Sequence, residues 1–166
     1  MSSTAKGNNH KSNGQNHGSP IFKNQSVGYH DALGVRGLGT TGISIKHFTK
    51  SNQAIEGIVG LWPNAFSATV LLEYYVPAFG EPGLNWYYGA GAHIASESNL
   101  EYYDGLRGYR SDEGVSLGID GIFGLEYKIQ ELPMAISLDM KPFFEMTTSG
   151  KAYLAADPGL TVKLTF

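Results

Sequence analysis

The chain has 166 residues, enough for one domain, with 22 Gly, 10 Tyr and 8 Phe against 16% charged residues and a formal net charge of −3. Lys and Arg are few and scattered, which excludes a basic nucleic-acid surface, and the absence of cysteine excludes a disulfide framework and thiolate metal centres. No run of about 18 apolar residues is present, so no helix can span a membrane. Strands remain open to that role, because their alternation averages two faces and hides from hydropathy.

In chain order, Met1 to His30 is polar, rich in Asn, Gly, Ser and His, and is expected to be a disordered linker (1–30) that is not a signal peptide. The missing leader implies either that processing has removed one or that export is the wrong reading. His10, His17 and His30 are too scattered for a structural metal site, and no metal or cofactor is expected. From Asp31 onward, eight alternating segments are separated by turn-forming residues: Asp31 to Leu38, Thr41 to Thr49, Ala54 to Trp62, Phe66 to Val76, Leu84 to Ala95, Val115 to Ile129, Pro133 to Met146 and Tyr153 to Phe166. An even count lets an antiparallel sheet close, so the fold class is an all-β, eight-stranded up-and-down barrel over 31–166. The longest loop, Ser96 to Gly114, falls at the end opposite the chain termini, the asymmetry of outer-membrane barrels.

Charge placement sharpens the reading. In the sixth segment Val115, Leu117, Ile119, Phe123, Leu125, Tyr127 and Ile129 share one face, while Asp120, Glu126 and Lys128 share the other. In the seventh, Met134, Ile136, Leu138, Met140 and Phe144 stand opposite Asp139, Lys141 and Glu145. Arg36, Lys46, Glu56, Glu73 and Lys163 likewise fall opposite the more apolar sets of their strands, and His93 joins this polar face. Soluble and membrane barrels share such alternation, but aromatic placement separates them. Tyr74, Trp86, Tyr88, Tyr127 and Phe166 fall at one end on the apolar face, and Trp62 and Phe144 at the other, as in interfacial belts.

The last strand, with Leu160, Val162, Leu164 and Phe166 on one face, completes a pattern that resembles the small eight-stranded outer-membrane barrels of Gram-negative bacteria. The resemblance implies outer-membrane location, contact with membrane lipid and recognition of the C-terminal strand by the barrel-assembly machinery. The near-balanced inward charges favour a cross-linked polar plug over a solute path. Some barrels of this size modify lipid A, and His93-Ile94-Ala95-Ser96-Glu97-Ser98 is the local place for such a hydrolase or acyltransferase. Its spacing departs from the deacylase family's His-x-Ser arrangement, so no catalytic residue is assigned. Tyr102, Tyr103, Arg107, Tyr109 and Arg110 make the long loop a candidate surface for a protein partner in an outer-membrane complex. The expected function is a non-enzymatic structural or accessory interaction component. The alternatives are a lipid A-modifying enzyme and a soluble ligand-binding barrel.

Overall fold

The structure, a computed structural model, describes residues 27–62, 65–97, 103–104, 107–108 and 114–166. Its strands are β1 (Asp31–Leu38), β2 (Gly42–Lys50), β3 (Gln53–Trp62), β4 (Ala65–Pro77) and β5 (Leu84–Glu97), then β6 (Tyr103–Asp104) and β7 (Arg107–Gly108), and finally β8 (Gly114–Ile129), β9 (Met134–Thr147) and β10 (Ala152–Thr165). Each of the eight expected segments corresponds to one long strand, with ends that agree within two residues. The eight long strands close into one antiparallel barrel in the order β1-β10-β9-β8-β5-β4-β3-β2, and β6 pairs with β7. Every neighbour in the ring is also the next long strand in sequence, except at the β1–β10 seam.

The register fixes the shape. Starting at Ala32, successive opposite residues are Lys46, Glu56, Leu71, Gly91, Asp120, Phe143 and Ala155. Ala32 itself pairs with Thr165, so the ring closes with a stagger of ten residues, from 155 to 165. For strands about 4.8 Å apart and rising about 3.3 Å per residue, that stagger sets a tilt of about 40°. Pairing between β8 and β9 lapses where Gly121 and Ile122 face Pro142 and Lys141, because Pro142 has no N–H to give.

We call the end at which β1 starts and β10 finishes proximal, and the other distal. The described chain begins four residues before β1, and its first residues already belong to the barrel. Val27 is buried beside Phe48, Ala54, Ile58, Leu71, Tyr75, Tyr87 and Ile122, with Tyr29 packed against them. Val27 and Tyr29, which precede the expected boundary at 30/31, thus pack into the barrel. Apolar side chains alternating with polar ones cannot reveal such a plug, because it has no period of its own.

Candidate functional site

Inward positions of all eight strands converge on a lumen filled with ionisable side chains. Lys46 and Glu126 are 0% exposed, whereas outward Leu138 and Ile119 are 57% and 65% exposed. This inverts the water-soluble pattern, in which charge faces out. Among the described outward strand positions the acidic and basic side chains lie on the proximal rim: Asp31 and His47, paired at 2.7 Å, and Lys50 at the end of β2 opposite Gln53.

Three groups of side chains fill the lumen. In the central one, the Lys46 ammonium lies 2.7 Å from Glu73, 3.1 Å from Glu56 and 3.5 Å from Glu126. Lys163 lies 2.8 Å from Glu126 and 3.6 Å from Glu56. Tyr75 donates to Glu73 at 3.1 Å, sits within 3.3 Å of Glu126 and also meets Lys46. Tyr75 stacks on Tyr87 with centroids 5.3 Å apart, and the Lys46 ammonium stands over the Tyr87 ring at 4.7 Å. From the proximal side Tyr29 donates to Glu126 at 2.5 Å and packs edge-on against Phe48. Burial, with Glu126 beside it, pushes the Tyr29 phenol far above its usual range, so the hydroxyl remains a donor.

Beside this lies a second group, in which Arg36 grips Asp139 with two hydrogen bonds of 2.7 and 3.0 Å. Tyr87 donates to the same carboxylate at 2.6 Å, and Asp157 stands 3.8 Å from Arg36 while accepting the Thr40 amide at 2.7 Å. Nearer the distal end, His93 presents Nδ1 to Asp120 at 2.8 Å and Nε2 to Glu145 at 3.1 Å. Lys141 donates to Asp120 at 2.8 Å, and Ser116 to Glu145 at 3.4 Å. With a carboxylate on each nitrogen, His93 is held in place by both.

Glycines make room for these long side chains. Gly34 lies opposite Lys163 on the neighbouring strand, and a Cβ there would sit 2.7 Å from Lys163 Cγ. A Cβ at Gly124 would sit 2.6 Å from Asp139 Cβ, one at Gly159 would strike the Arg36 guanidinium, and one at Gly118 would strike the His93 ring. The abundance of glycine thus has a steric meaning: a narrow ring accepts a lysine or arginine where the adjoining wall has no side chain.

Eleven of the twelve residues expected in the polar network take part in these contacts: Arg36, Lys46, Glu56, Glu73, His93, Asp120, Glu126, Asp139, Lys141, Glu145 and Lys163. Lys128 does not. Its ammonium turns to the proximal rim and donates to the carbonyls of Ile129 and Leu132, both at 2.8 Å, because its strand ends one residue later and the turn carbonyls are nearer than any lumen carboxylate. Tyr29, Tyr75, Tyr87 and Asp157 are members that sequence reasoning missed. Tyr75 shares the parity of Glu73, Tyr87 that of His93, and Asp157 that of Lys163, so the same alternation that locates their neighbours is able to find three of them.

On the outer face, Tyr74, Trp86, Tyr88, Tyr127 and Phe166 are exposed near the proximal end, and Phe144 is exposed toward the distal one. Tyr74 stacks on Tyr88 at 6.0 Å, and Phe79 packs against Trp86 at 5.7 Å. Trp62 ends β3 on the distal side. Of the expected loop surface, Tyr103 and Arg107 lie in the β6–β7 pair, and Tyr102, Tyr109 and Arg110 are outside the described residues. Ser96 occupies an outward position on β5, on the face away from His93, and Ser98 is outside the described residues.

The class defined by this geometry is a closed eight-stranded antiparallel barrel with an interior of ionisable side chains and an apolar exterior. The chain matches no family model, and searches of curated proteins and of solved structures likewise return no match.

Proposed function

We propose that the protein is a non-enzymatic outer-membrane barrel, a structural or accessory interaction component whose lumen is plugged by its charged network. The observation that carries this reading is the inversion of polarity between lumen and exterior. An apolar outer face with aromatic side chains toward both ends suits a lipid environment, and in water it would be an aggregation hazard. On β8 the outward side chains from Leu117 to Tyr127 are Leu, Ile, Gly, Phe, Leu and Tyr. At a tilt of about 40° they cover about 26 Å of height, close to the apolar band of a membrane barrel. The same reading makes β10 the strand offered to the assembly machinery and the β5–β8 connection the surface offered to a protein partner.

The lumen supports a plug, because its ion pairs join β1, β2, β3, β4, β5, β8, β9 and β10 across the interior and Val27, Tyr29 and Phe48 fill the proximal side. Purified protein is expected to need detergent, to migrate differently on a gel before and after heating, and to give no unitary conductance steps in a planar bilayer. Monomeric solubility without detergent would overturn the membrane assignment. Well-resolved conductance steps would overturn the plug alone.

A further inference from the structure

The barrel wall is not of even height, and its low side faces one place. On β8 the outward apolar stretch from Leu117 to Tyr127 spans about 26 Å along the barrel axis. On β2 the outward positions between His47 and Thr41 are only Ile45 and Ile43, a span of about 15 Å from one polar side chain to the other. The proximal limit of this sector is the Asp31–His47 pair. The distal limit is the β1–β2 turn, where Leu38 is 68% exposed with a left-handed φ of 77°.

This turn ends well below the distal end of β10. β1 pairs with β10 only from Gly159, opposite Leu38, onward, while β10 continues upward to Ala152 against β9. Even-numbered residues of β10 present their main-chain groups to β1, as when the Gly39 amide donates to Pro158 at 2.8 Å and the Phe166 amide to Asp31 at 2.9 Å. The corresponding groups of Leu154 and Ala156 therefore face a position that no strand among the described residues occupies, and Leu154 is 81% exposed. Spread evenly around the ring, the ten-residue stagger places Thr41 level with Asp120, beside outward Ile119 on the tall wall. Polar turn and edge groups thus stand at a height where the opposite wall is still apolar.

We propose that the lipid headgroups of the distal leaflet, with their water, descend into this notch, so that the bilayer is locally thin against β1 and β2. This rests on the membrane reading above. Main-chain groups without a strand partner among the described residues, and a threonine hydroxyl, cannot stand in hydrocarbon at acceptable cost, whereas phosphate and ester oxygens and water offer them partners. Tilting the barrel does not remove the mismatch, because tilt moves both limits of the low wall together and leaves its span unchanged; thinning the bilayer beside it does. A second copy of the chain does not suit the notch. Two barrels with the same orientation in a membrane are related by an axis along its normal, and their β10 edges would cross at about 80°, twice the tilt, instead of pairing.

The test uses single spin labels on the full-length protein, whose lack of cysteine allows Thr41→Cys and Ile119→Cys without further changes. Each is reconstituted into phosphatidylcholine vesicles, checked for heat-modifiable migration, and measured for access to oxygen and to a water-soluble nickel chelate. The label at Ile119 is expected to favour oxygen, and the label at Thr41 to favour the chelate by several-fold. Thr41 favouring oxygen as strongly as Ile119 would overturn the notch while leaving the barrel in the membrane. Chelate-favoured access at both sites would remove the membrane reading and the notch with it.

Discussion

Lys46 and Lys163 illustrate how much depends on single side chains in this lumen. Between them they contact Glu56, Glu73 and Glu126. A buried ion pair is roughly neutral for stability when made, yet breaking one by removing a partner costs about 3–5 kcal/mol, because the remaining charge is stranded without water. Lys163→Met is therefore expected to destabilise the folded barrel by about 3–5 kcal/mol in urea titrations followed by heat-modifiable migration. Lys128→Met, at the proximal rim with its ammonium on two turn carbonyls, is expected to cost clearly less. Equal losses for the two would show that the lumen pairs do not govern the stability of the barrel. The glycines supply a matching prediction: Gly159→Leu drives a side chain into the Arg36 guanidinium and should destabilise by about 1–3 kcal/mol or more, whereas Gly37→Leu, where a Cβ meets nothing within 4 Å, should be mild. Unfolding midpoints of the two variants check it.

Among the elements, each strand is visible through its period of two, and the reason is that one face meets charge and the other does not. All the expected segments but one end within one residue of their strand at both termini; the exception is β5, which runs two residues further, to Glu97. The last strand continues through Pro158, whose carbonyl still accepts from Gly39. The β1–β10 seam is different in kind, since it joins the most distant strands and depends on long-range closure. Val162 lies opposite Val35 in that seam with its side chain outside, so Val162→Pro removes a ladder hydrogen bond while leaving the lumen untouched. Loss of the heat-resistant folded band is expected for Val162→Pro, with retention for Val162→Leu. Persistence of the band in the proline variant would mean that closure does not depend on the seam's ladder.

For the barrel as a unit, the direction of the faces decides everything functional. Leu138→Arg is expected to cost about 2–4 kcal/mol if that side chain meets hydrocarbon, but a soluble barrel would also suffer, so energy is a poor judge. Quenching from the acyl-chain region of a single label discriminates: it is expected at Leu138, which is 57% exposed, and absent at Asp139, which is 6% exposed. Quenching at Asp139 alone, or at neither, would overturn the membrane barrel. The strands, their two faces and eleven of the network's charges were legible in the chain alone, because alternation is a local property that survives without knowledge of neighbours. Closure of the ring was needed to show that Tyr29 enters the network from outside any strand, that Arg36 meets Asp139 from the far side of the seam, and that the β1–β2 wall is low. Each of these depends on the ten-residue stagger with which the ring closes, and that quantity is a sum over all eight pairings that no single segment contains.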